Sequence, residues 1–283
     1  MKGFAKIRRK VVNAIMLTIT GLCTLIAAGT LVAILAYLFI HGARSLNWDF
    51  FTKLPAPVGE TGGGMVNAII GSAKVLLLAG VVGVPIGFLG GVYLAEFGGA
   101  QFSFLVRYVT DLLNGVPSIV MGVLAYSLIV LRQHHFSTFA GGIALGVMMI
   151  PIAIRSSEEF LRSVPLALRE GAMALGASKS KAIFTVVIPA AKAGLITGIM
   201  LNLARVAGES APLLFTAFGN QFESPGWNQP ASALPVMIFH YAVSPYDDWH
   251  QQAWSAGFVL LTLVLGVNIL ARLILANKAH VAR

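Results

Sequence analysis

Two oppositely charged residues, Arg205 and Glu209, lie inside a segment that is otherwise mostly apolar, residues 190–218. If the segment is one helix, several of its polar and small residues fall within about 60° of one another at 100° per residue. The residues on that face are Gly198, Asn202, Arg205, Glu209 and Thr216. The spacing therefore predicts a polar stripe along one side of an apolar helix.

This stripe has two chemical interpretations. An arginine in a membrane interior costs about 2.5–3.5 kcal/mol on insertion scales, so it is retained where it is paired or useful. Arg205 and Glu209 can form an internal ion pair that helps helices to pack. Alternatively they form a gate or transient site for an anion, because a planar guanidinium binds two oxygens of an oxyanion at once. Intramembrane ionisable residues favour the second interpretation, and we predict that Arg205, Glu209 and Asn202 line a solute path.

Other kinds of chemistry find no support in the residue pattern. Cys23 is the single cysteine and the six histidines do not pair at helical ligand spacing, so we expect no metal site and no cofactor. The sequence has no Gly-rich loop ending in Gly-Lys-Ser/Thr, no paired catalytic aspartates and no Gly-x-Ser-x-Gly motif. We therefore predict that the chain is not an enzyme and hydrolyses no ATP by itself.

The elements that position these residues are predicted to be membrane-spanning helices. Of the 283 residues, 57% are hydrophobic and 11% charged, against roughly 25% charged in soluble domains. A spanning helix needs roughly 20 predominantly apolar residues. The qualifying segments are 12–40, 65–95, 104–131, 138–158, 190–218 and 252–275. We predict an all-α integral membrane protein of six helices, a single domain over residues 1–283 with its core from about 60 to 275.

The distribution of positive charge orients these helices. The apolar stretch near the N-terminus is too long for a signal peptide, so 12–40 is predicted to be an uncleaved first helix. With the N-terminus in the cytoplasm, the cytoplasmic pieces hold Lys2, Lys6, Arg8, Arg9, Lys10, Arg107, Arg155, Arg162, Arg169, Lys179, Lys181, Lys192, Arg272, Lys278 and Arg283. The outer pieces hold Arg44, Lys53 and Arg132 alone. This asymmetry predicts that both termini are cytoplasmic, and it accounts for the net charge of +9 without nucleic acid as a partner.

Smaller patterns predict how the helices and outer loops are arranged. Lys74, near the outer part of the second helix, is predicted to extend to the membrane interface. Gly83, Gly87 and Gly91 share one helix face, which predicts close approach of another helix. The outer (periplasmic) loop 219–251 contains a short apolar piece from Ala233 to Val243, too short to span, which predicts a re-entrant or interfacial element.

A long segment between the fourth and fifth helices, residues 159–188, lies on the cytoplasmic side in this topology. Helical spacing of its apolar residues predicts a helix that begins near Pro165 and ends at Gly176, since glycine commonly terminates helices. A second short helix is predicted from Lys179 to Val187, ended by Pro189. Such a helix–turn–helix either lies on the membrane surface or fills a groove in a partner protein. Its small-residue face and central turn favour the partner.

This segment resembles the EAA loop of ABC-importer permeases, in which Glu-Ala-Ala is followed by Gly and then by Ile-x-Leu-Pro. The chain has Glu170-Gly171-Ala172, then Gly176, and then Val186, Ile188 and Pro189. In that family the loop docks in a cleft of the cytoplasmic ATPase. The resemblance therefore implies that Glu170, Gly171, Ala172 and Gly176 couple the chain to an ATPase. Gly171, in place of the family's Ala, weakens the helix by about 1 kcal/mol.

A more specific resemblance is to the PstA family of phosphate-importer permeases, and it extends over about residues 60 to 275. The segments that carry it are 111–120, 204–217, Leu234-Pro235-Val236, His240-Tyr241-Ala242, and Gly62-Gly63-Gly64 with Asn67. By this resemblance Arg205 matches an arginine considered essential for phosphate passage, and Glu209 matches the neighbouring glutamate. The implied partners are a PstC-like sister permease, two copies of a PstB-like ATPase, a periplasmic PstS-like phosphate-binding protein, inorganic phosphate and the lipid of a prokaryotic inner membrane.

The leading functional hypothesis is thus a permease subunit that forms half of the pore of an ATP-driven phosphate importer. One alternative keeps the ABC class but changes the solute to another oxyanion such as molybdate or sulfate. Another alternative is an ATP-independent channel or secondary transporter, which leaves the helical cytoplasmic segment without an explanation.

Overall fold

The computed structural model describes the backbone of residues 2–60 and 62–281, and the side chains of residues 6–60 and 62–273. Within these ranges the chain is helical, and β-structure is limited to two isolated bridges. The predicted all-α architecture is confirmed. Three of the cations used to orient the helices, Lys2, Lys278 and Arg283, lie outside the described side chains.

The helices follow one another along the described chain. They are α1 (Lys2–Arg44), α2 (Trp48–Thr52), α3 (Val66–Val92), α4 (Ala100–Gly115), α5 (Ser118–Ala125), α6 (Leu131–Gln133), α7 (Thr138–Arg162), α8 (Leu166–Ala174), α9 (Lys179–Ala182), α10 (Ile188–Ala207), α11 (Ala211–Thr216), α12 (Leu234–Ala242) and α13 (Asp247–Val281). The longer connections lie between α2 and α3 and between α11 and α12. Three π-helical turns, Tyr93–Phe97, Tyr126–Val130 and Ile183–Val187, join or extend these helices.

Five helical segments within the described residues are long and apolar enough to cross a membrane. They are Lys6–Arg44, Val66–Phe97, Thr138–Arg162, Lys179–Ala207 and Asp247–Leu273. A sixth span is reached if the pair Ala100–Asn114 and Ser118–Gln133, which is bent by 99°, counts as one. The structure therefore has the five to six apolar helices expected of the predicted membrane protein.

The third predicted span, 104–131, is wrong as a single helix. The chain breaks at Val116, which is extended, and Pro117 caps the start of α5. A proline disfavours helical dihedrals in the residue before it. It also lacks the backbone N–H that would donate to a carbonyl of the preceding helical turn. Pro117 therefore marks the end of one helix and the beginning of another.

The fifth predicted span, 190–218, is also wrong at both ends. It begins earlier, because α9, the π-helical turn Ile183–Val187 and α10 run on without a break, so that Pro189 does not end a helix. Pro189 has no backbone N–H to donate to the preceding helical turn. The π-helical turn just before it changes the local hydrogen-bond register at this point. At the other end the helix stops at Ala207, and Gly208 caps it.

The centre of the molecule is the pair α3 and α7, which pack closely from Leu78 against Gly142 to Gly91 against Ser157. A Cβ placed on Gly83, Gly87 or Gly91 would overlap atoms of α7, at Met149, Ala153 and Ser157 respectively. These glycines let the two backbones approach closely, which confirms the predicted role of this face. Helix α10 packs on α7 from another side, and α13 packs against α10 and α12.

Different loops of the chain lie at the two ends of α3. At its start, Asn67 donates a hydrogen bond to Asn220 O (2.6 Å), and Gln252 donates one to Gly62 O. The loops around 41–63 and 219–251 therefore share one face, as the alternating topology requires. Helix α12, the short apolar piece of the second loop, is largely buried against the core there. The segment 159–188 meets the opposite end of α3.

Candidate functional site

Arg205 and Glu209 line one small, partly open cavity between the helices. Its volume is about 30 Å³, room for a water molecule or two. The walls come from the break between α4 and α5, from the middle of α7 and from the end of α10. The remaining lining residues are Leu113, Asn114, Val116, Met121, Met148, Pro151, Ile152 and Val206. The structure thus brings the two predicted charges together beside the break that Pro117 creates.

The two charges do not form an ion pair with each other. Among the described residues, neither side chain takes part in an ion pair within 4.0 Å or in a hydrogen bond. Because α10 ends at Ala207, Glu209 follows the helix cap instead of lying one turn above Arg205. The predicted single-helix stripe is therefore wrong. Arg205 is exposed and Glu209 is half-buried, so both remain accessible to a partner subunit, water or solute.

The other members of the predicted stripe serve packing. Asn202 is 2% exposed, and its amide donates a hydrogen bond to Met149 O in α7 (2.9 Å). Gly198 lies against Phe160 and Ser156 of α7. The Thr216 hydroxyl donates to Pro212 O within α11 (2.7 Å). Asn202 therefore lies in the α7–α10 interface and not among the residues that line the cavity, and its place on a solute path stays a prediction.

Lys74 has two partners in the loop 219–251. Its Nζ donates to two backbone carbonyls of that loop, Ser224 O (2.6 Å) and Pro225 O (3.2 Å). Lys74 thus fastens this loop to α3, and its position at the membrane interface stays a prediction.

A second charged cluster was missed when the sequence was considered alone. Glu158 in α7, with its side chain 4% exposed, lies within 3.1 Å of three arginines: Arg107 (2.7 Å), Arg155 (3.1 Å) and Arg162 (3.1 Å). Asp111 also pairs with Arg155 at 3.1 Å. Two of the arginines lie three and four positions from Glu158, a spacing that brings side chains together on a helix and was the available signal. Three guanidiniums against two carboxylates leave the cluster with net positive charge.

The cluster and the cavity are built on the same two helices. Asn114, which lines the cavity, lies one turn beyond Asp111 in α4. Pro151, which also lines it, lies one turn before Arg155 in α7. Polar groups therefore continue from the Arg205 cavity towards the end of α7 that meets the segment 159–188.

That segment forms a helix and a turn with an unusual exposed surface. At the end of α8, Gly176 adopts φ +85°, with Gly176 N bonded to Met173 O (2.9 Å) and Ala177 N to Ala172 O (3.1 Å). This is the Schellman pattern, for which glycine is the usual residue. Apolar side chains project outwards from this helix and its turn, and Leu175 is 91% exposed. Exposed apolar surface of this kind marks protein contact sites.

Comparison with known proteins identifies the family. A family model described as "Binding-protein-dependent transport system inner membrane component" matches residues 83–278. Relatives named "Phosphate transport system permease protein PstA" are 42% identical in Yersinia pestis and 44% identical in Xylella fastidiosa. Both alignments span 274 residues and 96% of this chain, with 92% and 95% of the relatives covered. A relative of the same name from Haemophilus influenzae is 42% identical over 95% of this chain and 96% of its own length.

Solved structures show the same fold at lower identity. A chain of the inward-facing MetNI methionine ABC transporter matches with a TM-score of 0.63 at 20% identity, covering 75% of this chain and 95% of that one. A chain of a bacterial ABC transporter for import of the polysaccharide alginate matches with a TM-score of 0.60 at 15% identity, covering 97% and 99%. The chain is therefore a multi-pass membrane protein that belongs to the family of binding-protein-dependent transport system inner membrane components and, within it, to the PstA permeases.

Proposed function

We propose that this chain is one of two membrane subunits of an ATP-driven importer of inorganic phosphate, and that it forms half of the translocation pore. The observation that carries the proposal is the position of Arg205 in a helix long enough to span the membrane. Its side chain has no partner among the described residues and lies beside Glu209 at a cavity. The names of its relatives, at 42–44% identity over nearly the whole chain, supply the solute.

The chemistry of the two residues suits transient binding of a phosphate ion. The guanidinium of Arg205 presents parallel N–H donors that match two oxygens of a tetrahedral oxyanion. Glu209, at the same cavity, repels the anion and keeps its residence short. The cavity of about 30 Å³ is smaller than a hydrated anion needs, so passage requires the surrounding helices to separate. We infer that the break at Pro117 provides that movement, since Leu113, Asn114 and Val116 beside the break line the cavity.

The partner proteins follow from the same proposal. A PstC-like sister permease completes the pore, and a periplasmic PstS-like protein delivers phosphate to the outer loops. Two copies of a PstB-like ATPase bind from the cytoplasm, where Glu170, Gly171, Ala172 and Gly176 provide the contact. The exposed apolar side chains of α8 support this contact, because they lack partners within the described chain. Both termini lie in the cytoplasm.

Other oxyanions remain the alternative within the same class, because a guanidinium binds sulfate and molybdate by the same geometry. An ATP-independent channel is disfavoured by the exposed apolar surface of the segment 159–188, which has no purpose without a cytoplasmic partner.

The test is uptake of labelled phosphate by right-side-out vesicles that contain the whole complex, with and without ATP enclosed on the cytoplasmic side. We expect accumulation that requires ATP and the binding protein, and that excess unlabelled sulfate or molybdate does not suppress. Suppression by either anion, with its own ATP-dependent uptake, would reassign the solute. Uptake without ATP or ATPase would instead support a channel.

A further inference from the structure

We infer that the Arg169–Glu96 contact is the mechanical link that transmits movement of α8 to the membrane core, so that both are positioning residues for coupling. The inference rests on the proposed function, in which an ATPase acts on α8. It concerns two side chains outside the Glu170–Gly176 motif, and it assigns the route by which a displacement of that motif reaches α3 and α7.

Arg169 joins three parts of the structure through one guanidinium. Nε and Nη2 donate to Glu96 Oε1 at 3.1 and 2.9 Å, which ties α8 to the π-helical turn at the end of α3. Nη2 also donates to Leu161 O at 2.7 Å, in the last turn of α7, and Nη1 donates to Val164 O in the loop that follows. The contact is shielded from solvent, with 15% of the Arg169 side chain and 6% of the Glu96 side chain exposed.

Apolar burial contributes little to holding α8 in place, although α8 also contacts α9 and the π-helical turn Ile183–Val187. None of its residues is buried, and its leucine and methionine side chains, Leu166, Leu168 and Met173, are 45–63% exposed. Burial of apolar surface is the usual way to dock a short helix. Because α8 presents its apolar side chains outwards, Arg169 provides its principal attachment to α3.

The receiving end of the link is a turn with three cationic contacts. In the π-helical turn Tyr93–Phe97, Leu94 O accepts a hydrogen bond from Arg162 (3.3 Å), and Glu96 pairs with Arg169. The Nζ of Lys179, the first residue of α9, lies 4.8 Å from the centre of the Phe97 ring. The end of α3 is thus held by α7, α8 and α9 at once. Single π-helical turns of this kind often occur at functional sites.

The link reaches the cavity because α3 and α7 move together. Their glycine-lined contact leaves no space for one to shift relative to the other without steric overlap. Helix α7 carries Pro151 and Ile152 in the wall of the Arg205 cavity. A displacement of α8, passed through Arg169 to Glu96 and Leu161, therefore changes the wall of the solute path.

Arginine is required at this position for a geometric reason. A planar guanidinium holds three acceptors in fixed directions, whereas a lysine ammonium on a flexible stem does not reproduce that fork. The Arg169→Lys change therefore preserves charge while it loosens the link. The Glu96→Gln change preserves an acceptor but removes the ion pair, and leaves the bonds of Arg169 to α7 in place.

The first experiment measures coupling in the reconstituted whole complex, as phosphate imported per ATP hydrolysed. We expect Arg169→Lys and Glu96→Gln to lower this ratio roughly fivefold or more, the scale of a typical coupling energy, while ATP hydrolysis continues. The matched controls are Arg132→Lys, on the opposite face, and Glu159→Gln, at an exposed position of α7. Both controls should keep the wild-type ratio. A wild-type ratio in Arg169→Lys, or equal losses of hydrolysis and uptake, would contradict the inference.

The second experiment does not depend on the solute. Spin labels are placed at Ala167→Cys in α8 and at Gly99→Cys beyond α3, in a Cys23→Ser background. Gly99 is suitable because a Cβ there meets no atom within 4 Å. The distance between the labels should stay constant when ATP is added to the wild-type complex and should change in Arg169→Lys. A distance that already changes in the wild type would overturn the link.

The two proposals fail in different ways. A wild-type complex that imports no phosphate contradicts the proposed function, and the label distances still test the link. If Arg169→Lys does not assemble with the ATPase, the decision passes to Glu96→Gln. Failure of both to assemble would contradict the inference, because Glu96 lies on α3, apart from the exposed surface that the ATPase is proposed to contact.

Discussion

Charge is retained among the apolar helices of this chain in two different ways. Glu158 has three guanidinium groups within 3.1 Å, so its charge is satisfied inside the subunit. Arg205 has no such partner among the described residues and faces a cavity with Glu209. The first arrangement satisfies the charge of Glu158 within the subunit, whereas the second leaves Arg205 available to a group from outside the chain.

Glu158→Gln tests the structural side of this distinction. The substitution leaves three arginines without their shared carboxylate, and breaking a buried ion pair typically costs about 3–5 kcal/mol, less here because the guanidiniums are partly exposed. We expect a lower midpoint of thermal unfolding for the detergent-solubilised subunit. The neighbouring Glu159→Gln, at an exposed position, is the control and should leave the midpoint unchanged. Equal midpoints for the two variants would show that the cluster adds nothing to stability.

At the scale of the elements, composition predicted the helices, but local chemistry determined where they break. The six apolar segments were visible because lipid requires about 20 apolar residues per span. The full break at Pro117 and the stop at Gly208 were not predicted, since each falls inside a segment that is apolar enough over its length to count as one span. The consequence is large for the site: Glu209 leaves the helix that carries Arg205. A close helix contact on this face of α3 was predictable because three glycines at four-residue spacing share it, but the identity of α7 as the partner was not.

Gly87→Ala tests that contact with a minimal change. A methyl group there would overlap Ala153 of α7, and overpacking of this kind typically costs about 1–3 kcal/mol. Gly80→Ala is the matched control in the same helix, because its Cβ would meet one atom, Leu203 Cδ2, at an ordinary 3.6 Å. We expect Gly87→Ala to lower the thermal stability and the assembly of the complex. Gly80→Ala should leave both unchanged. If Gly87→Ala were as stable as Gly80→Ala, α3 and α7 would not be in the close contact described.

At the scale of the whole molecule, the structure links two regions that the sequence keeps far apart. Arg107 of α4 pairs with Glu158, which lies 51 positions further along the chain, and Arg169 lies 73 positions from its partner Glu96. Such contacts leave no local pattern, which is why the sequence placed these arginines among the orienting cations. Of the residues predicted to line the solute path, Arg205 and Glu209 lie at one cavity. Asn202 is buried against α7. The sequence did not predict this burial, because helical spacing alone does not show which face meets α7.

The central claim is that Arg205 belongs to the path of the transported phosphate. The most direct measurement is the initial rate of ATP-dependent phosphate uptake by proteoliposomes containing the whole complex, compared between wild type, Arg205→Gln and the exposed control Arg132→Gln at equal assembly. Loss of a charged hydrogen-bond donor predicts a rate at least about tenfold lower for Arg205→Gln. The Arg132→Gln complex should match the wild type. A near-wild-type rate for Arg205→Gln would contradict the account and would make Arg205 a packing residue.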